Sequence, residues 1–121
     1  MNKCVLIYDD DKVILDLCKA ILRPKNYQVE TRERCENIIQ DALTLSPDLI
    51  LIDLWIPEIG GEKAINLLRE NENFNPIPVI IFSADTEIAK IAHRAKAQGY
   101  IEKPFDIHKF LKLIEDHFVT S

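Results

Sequence analysis

Short unbroken apolar runs alternate along this chain with stretches whose apolar residues recur at helical spacing. Cys4-Val5-Leu6-Ile7-Tyr8, Leu49-Ile50-Leu51-Ile52 and Val79-Ile80-Ile81-Phe82 are continuous apolar runs. Runs of this length read as strands buried on both faces, the kind found inside a parallel sheet. Tyr27-Gln28-Val29-Glu30-Thr31 instead alternates apolar or β-branched with polar residues, which suits a half-exposed edge strand. Gly99-Tyr100-Ile101-Glu102 is a short fifth strand ending in Lys103-Pro104.

Helical spacing fills the gaps. Ile14, Leu17, Cys18, Ile21 and Leu22 predict a helix over about residues 12–23 that ends before Pro24. Ile38, Ile39, Ala42 and Leu43 predict a second, closed by Ser46-Pro47. Ala64, Leu67 and Leu68 follow the Gly60-Gly61 turn as a third, which fades into Asn71-Glu72-Asn73. Ile88, Ile91, Ala92 and Ala95 mark a fourth, with Asp85 or Thr86 as its cap. Ile107, Phe110, Leu111 and Ile114 mark a fifth, capped by Asp106.

Five strands alternating with five helices across short loops predict a doubly wound α/β domain, (βα)5. Strands one, three and four are apolar throughout and belong in the centre of the sheet. The alternating second strand and the short fifth belong at its edges. With right-handed crossovers this favours the strand order 2-1-3-4-5.

That order gives meaning to the polar residues at strand ends. Strand one ends in Asp9-Asp10-Asp11, strand three in Asp53, strand four in Ser83 and strand five in Lys103. In a parallel sheet these termini share one edge, where open α/β sheets place their ligands. Strands one and three are neighbours, so their acids converge. A helix N-cap accounts for one or two of the three adjacent acids, and Asp11 is read as the cap. The others repel one another and call for a cation.

A carboxylate cluster with oxygen donors only suits a hard cation, and Mg2+ fits such an incomplete shell completed by water. A lysine and a hydroxyl nearby suit a phosphoryl group, and a carboxylate is itself a nucleophile toward phosphorus. The residues alone therefore read as a Mg2+-dependent, phosphoryl-accepting site centred on Asp53. Taken singly, Asp53 reads equally well as a turn residue and Lys103 as a solvated lysine.

Bulk composition narrows the classes. At 121 residues the chain has the length of one domain, read as spanning 1–121 with no output domain. A net charge of −5 without a basic run argues against direct nucleic-acid binding. No apolar run approaches membrane-spanning length, and no charged-then-apolar leader opens the chain. Cys4, Cys18 and Cys35 are odd in number, lack metal-ligand spacing and lie in apolar patterns. They read as buried, reduced thiols of a cytoplasmic protein. His93, His108 and His117 are scattered along helices without ligand spacing.

Over essentially its whole length the chain resembles the receiver domain of two-component response regulators. The matching elements are Asp9-Asp10, then Asp53 followed by Pro57 and Gly61, then Ser83-Ala84, Tyr100 and Lys103-Pro104-Phe105. The resemblance implies a flavodoxin-like fold in which Asp53 accepts phosphate from a histidine kinase or histidine phosphotransfer protein. It implies Mg2+ held by Asp9, Asp10, Asp53 and the backbone carbonyl of Trp55. Lys103 and Ser83 would contact the phosphoryl oxygens, and the Lys103-Pro104 bond would be cis. It further implies a switch linking Ser83 to Tyr100 and rearranging the face of the fourth helix, fifth strand and fifth helix. A downstream protein partner or output domain would read that face, with the chain a monomer or a weak phosphorylation-dependent dimer. Such a domain is not an enzyme, beyond catalysing its own phosphoryl transfer and slow autodephosphorylation.

The chain departs from the family pattern at Trp55, bulkier than the usual residue two after the acceptor, and at Lys96, where many members carry Gly. Ser83 in place of Thr is an accepted variant. A nucleotide- or flavin-binding domain would need a glycine-rich loop after strand one, but that loop reads Asp9-Asp10-Asp11-Lys12. An aspartyl-phosphate hydrolase usually carries a second acid two residues after its nucleophile, where Trp55 stands here. A receiver-like module that is never phosphorylated would have lost acids or the lysine, and none is lost.

Overall fold

The computed structural model of the protein describes residues 2–119. Strand β1 (Cys4–Tyr8) is followed by α1 (Lys12–Leu22), β2 (Gln28–Arg32), α2 (Ile38–Leu45), β3 (Leu49–Ile52) and α3 (Gly61–Glu70). Then come β4 (Val79–Ser83), α4 (Ile88–Arg94), β5 (Gly99–Glu102) and α5 (Ile107–Val119). The sheet is parallel throughout, in the order β2-β1-β3-β4-β5. Every residue of β1, β3 and β4 is buried, whereas β2 and β5 are partly exposed, as central and edge strands require.

The pleat divides the apolar residues between two layers. Leu6, Tyr8, Ile50, Ile52, Val79 and Ile81 pack against Ile38 and Ala42 of α2, Ala64, Ile65 and Leu68 of α3, and Ile88 and Ala92 of α4. Val5, Ile7, Leu49, Leu51, Ile80 and Phe82 pack against Leu15, Cys18 and Leu22 of α1 and Phe110 and Ile114 of α5. The split follows from strand order and crossover hand. The chain moves from β1 outward to β2 and then back across the sheet, so α1 lies on the face opposite α2, α3 and α4.

Local signals end the elements within a residue or two of where the sequence places them. Helix α1 stops at Leu22, and Pro24 sits in a single 3-10 turn, Arg23–Lys25, closed by left-handed Asn26 (φ 68°). The Asp11 side chain caps α1 by accepting from the Val13 N–H. Asp106 does the same for α5 through the N–H groups of His108 and Lys109. Asp85 rather than Thr86 serves the start of α4, accepting from the Glu87 N–H at 2.7 Å. Cys4, Cys18 and Cys35 are buried free thiols, and burial pushes Cys18 up to about 12 and Cys35 up to about 11. Among the described residues no helix is long and apolar enough to cross a membrane.

Candidate functional site

The carboxyl ends of β1, β3, β4 and β5 meet on one edge of the sheet. Asp53 leaves β3 with its N–H bonded to the Tyr8 carbonyl at 3.0 Å, so the acid is held beside the end of β1. Its Oδ1 accepts from the Trp55 N–H at 3.2 Å. Asp9 follows β1, and its Oδ1 accepts from the Asp11 N–H at 2.9 Å. Lys103, after β5, places Nζ 2.7 Å from Asp9 Oδ2 and 2.9 Å from Asp53 Oδ2. The ammonium also lies 4.9 Å from the centre of the Phe82 ring. The Lys103-Pro104 peptide is cis.

Burial singles out the same residues. Among the described residues, the buried polar or charged side chains are Asp9, Asp53 and Ser83. Charged groups are withdrawn from water only where they are paired or used. Asp9 is wholly buried, and desolvation holds its carboxyl above the usual range although Lys103 and the Asp11 N–H pull it down. Burial lowers Lys103, but its hydrogen bonds to Asp9 and Asp53 outweigh that and hold the ammonium above its ordinary value.

Asp10 lies beside them in the open. Asp9, Asp10 and Asp53 can each offer a carboxylate oxygen within 4.8 Å of the others. Of these three carboxylates two pair with one ammonium and Asp10 adds a further charge, which leaves excess negative charge on hard oxygen donors alone. Such a donor set fits Mg2+.

Ser83 is fully buried, and its Oγ accepts from the Asp85 N–H at 3.2 Å. Its backbone carbonyl accepts from the Lys103 N–H at 2.9 Å, which ties the ends of β4 and β5 together. Trp55 contributes its backbone N–H to the site, while the residue as a whole is 66% exposed. Tyr100 is 43% exposed on edge strand β5 and is not a core aromatic. All of the residues singled out from the sequence thus lie at this edge or on the strand leading to it.

These features agree with a match to the response regulator receiver domain that covers residues 5–115. The chain belongs to that family.

The relatives that this receiver domain matches differ in length. It is 36% identical over 111 residues to the DNA-binding dual master transcriptional regulator RpaA of Synechocystis sp., covering 88% of this chain and 45% of that protein. The receiver domain thus spans less than half of that relative's length. It is 28% identical to the polar-differentiation response regulator DivK of Brucella ovis, covering 97% of each. Its fold overlays the chemotaxis response regulator CheY4 of Vibrio cholerae with a TM-score of 0.88 at 23% identity, covering 96% of this chain and 98% of that one.

Other contributions rest on contacts that the sequence reading did not give, although Gly61 and Lys96 were themselves noted there. Gly61 packs on the Asp53 backbone, and its N–H donates to the Leu54 carbonyl at 3.0 Å. Tyr8 is buried at the end of β1, and its hydroxyl donates to Asp41 Oδ2 of α2 at 2.6 Å, anchoring the strand that presents Asp9. Burial raises the Tyr8 pKa far out of reach, with the Asp41 carboxylate adding to it. Arg69 of α3 donates to the carbonyls of Asn75, Ile77 and Lys96 and to Gln98 Oε1. Lys96 itself is left-handed (φ 60°), the conformation for which Gly is suited. No spacing rule reports these partners, since they meet only across loops.

Proposed function

We propose that Asp53 accepts a phosphoryl group from the phosphohistidine of a histidine kinase or a histidine phosphotransfer protein. The observation that carries this reading is the Lys103 ammonium bridging the buried carboxylates of Asp9 and Asp53, with a third carboxylate, Asp10, beside them. An Asp53 carboxylate oxygen attacks phosphorus, forming a P–O bond as the P–N bond to the donor imidazole breaks. The electron pair leaves with the imidazole, which takes up a proton. Lys103 is placed to pair with one phosphoryl oxygen. Ser83 accepts from Asp85 through Oγ, which leaves its own hydroxyl proton to be donated to another. Asp9, Asp10 and Asp53, with the Trp55 backbone carbonyl, would hold Mg2+, which when bound offsets the charge on the transferring group. Beyond this self-directed transfer and a slow autodephosphorylation, the domain carries out no catalysis.

The donor must approach the open edge of this site. Beside Lys103 runs an apolar groove of about 360 Å³, lined by Ile14, Leu17, Ala84, Pro104 and Phe105. This rim suits the apolar surface of a donor helix whose histidine then lies over Asp53. On the far side, withdrawal of the Ser83 hydroxyl toward phosphate would alter its bond to Asp85 and so the start of α4. Tyr100, exposed on β5 in register with Ile81 of β4, completes the switch, and the face of α4, β5 and α5 is read by a cytoplasmic protein partner or output domain. The domain acts as a monomer or a weak phosphorylation-dependent dimer.

The test uses Mg2+ and a small phosphodonor. The wild type should gain one phosphoryl group by intact mass, with a change in Trp55 fluorescence, and Asp53→Asn should show neither. A wild type that stays unmodified under these conditions overturns the reading.

A further inference from the structure

Helix α4 is weakly held by its own packing. It is seven residues long, its N-cap Glu87 makes no capping hydrogen bond with its own side chain, and it buries only Ile88 and Ala92. A helix this short depends on tertiary ties. Two of them come from α3. Arg94, the last residue of α4, forms a two-pronged ion pair with Glu62 in the first turn of α3: Nε to Oε2 at 2.6 Å and Nη2 to Oε1 at 2.8 Å. Just beyond α4, Arg69 at the other end of α3 grips the carbonyl of left-handed Lys96 with Nε and Nη2, at 3.2 and 2.9 Å.

The two ties differ in kind. Arg69 also binds Asn75, Ile77 and Gln98, so it fixes the loop after α4 as a pivot. Glu62–Arg94 is a single planar contact on the helix itself, geometrically specific and open to solvent. Glu62 also follows Gly61, the residue packed directly on the Asp53 carbonyl. Beside the pair, a groove of about 510 Å³ runs between the Trp55–Gly60 loop, the start of α3 and Ile91 of α4, with Glu62 in its wall. It leaves open space between α4 and the Trp55–Gly60 loop, on the side of the helix that faces α3.

We propose that Glu62–Arg94 is a latch that holds α4 in the position seen here. It makes α3 a second link between Asp53 and α4, alongside the Ser83–Asp85 bond. The proposal rests on the phosphoacceptor reading of Asp53, because the latch opposes the shift of α4 that phosphorylation drives. A contact present in one state and lost in the other biases the equilibrium by its own free energy.

The test compares wild type, Glu62→Gln, Arg94→Gln and the swap Glu62→Arg/Arg94→Glu. Binding of beryllofluoride with Mg2+ is followed by Trp55 fluorescence, and hydrogen exchange of the α4 amides is measured without it. Each single variant should bind beryllofluoride about two- to fivefold more tightly, the range of an exposed ion pair, and exchange faster in α4. The swap should return both readouts toward wild type, as a coupled pair requires. Singles that leave both readouts unchanged, or a swap that restores neither, overturn the latch while leaving Asp53 as acceptor. A wild type that does not respond to Mg2+ and beryllofluoride overturns the acceptor reading instead, and the exchange measurement then decides the latch alone.

Discussion

Gly61 lies so close to Asp53 that a β-carbon on it would stand 2.2 Å from the Asp53 carbonyl oxygen. The N-terminus of α3 is therefore seated directly on the backbone of Asp53, and only glycine allows it. The obstruction is backbone, which cannot rotate away as a side chain can.

Two neighbouring glycines should consequently behave differently. Gly61→Ala is expected to destabilise the fold by about 3 kcal/mol, at the upper end of overpacking costs, since a strand end must move. Gly60 has a positive φ of 77°, but a β-carbon there would make only an ordinary van der Waals contact, 3.5 Å from the Leu54 carbonyl oxygen. Gly60→Ala should cost about 2 kcal/mol from backbone strain alone, because its φ of 77° with ψ of 162° is a conformation essentially confined to glycine. Urea denaturation of both variants checks the order, and equal costs would contradict the packing argument.

Asp9 and Lys103 predict a pH dependence in chelator-containing buffer. The folded-state pKa of Asp9 is raised above its ordinary 3.8, so its contribution is intact below 3.8 and is lost as pH rises through the folded value. Asp9→Asn, which mimics the protonated form, should match wild type at the acid end and become the more stable protein as pH rises toward neutral. A variant less stable than wild type at neutral pH would show that the Lys103 pairing outweighs burial.

Lys103 is raised above 10.5, so its contribution holds through neutral pH and is lost only in strong alkali, above that folded value. Lys103→Ala leaves Asp9 and Asp53 facing each other without a cation. With the lysine partly exposed, the expected loss is about 2 kcal/mol, below the 3–5 kcal/mol of a fully buried broken pair. Added Mg2+ should recover part of it if the acids hold the ion, and a denaturation series with and without Mg2+ gives the answer.

Lys96 and Arg69 separate local strain from long-range ties. Lys96→Gly relieves a left-handed residue while keeping the carbonyl that Arg69 binds, so a gain of about 0.5 kcal/mol is expected. Arg69→Lys keeps the charge but loses the planar fork, and should cost about 2 kcal/mol by stranding several of its acceptors. Thermal or urea unfolding measures both. A lysine that substitutes without loss would mean that charge, not fork geometry, holds the loops.

Trp55 is expected to matter to chemistry more than to folding. The residue is 66% exposed, so Trp55→Ala should change stability by no more than about 0.5 kcal/mol. Removing the ring opens the approach of water to the phosphorylated Asp53, and the phosphate should be lost several-fold faster. Timed intact-mass measurements after removal of the donor test this, and an unchanged lifetime would assign the indole no shielding role.

Periodicity and strand-end chemistry made much of this domain legible in one dimension. The unbroken runs at Val5–Ile7, Leu49–Ile52 and Val79–Phe82 could only be central strands, and alternation at Val29 marked an edge. Once the sheet was parallel, Asp9, Asp53, Ser83 and Lys103 had to share an edge, because strand ends carry no freedom to do otherwise. The caps at Asp11 and Asp106 were likewise local, set by side chains that bond within three residues. What tertiary structure decided are the relationships whose energy depends on distances no spacing encodes. They are the Lys103 ammonium between two particular carboxylates, Gly61 against the Asp53 carbonyl, the Tyr8 hydroxyl on Asp41, and the grip of α3 on α4 through Glu62 and Arg69. Hydrophobic patterning determines which face of an element is buried. The placement of single polar atoms follows only after the elements have packed, when desolvation makes each one find a partner.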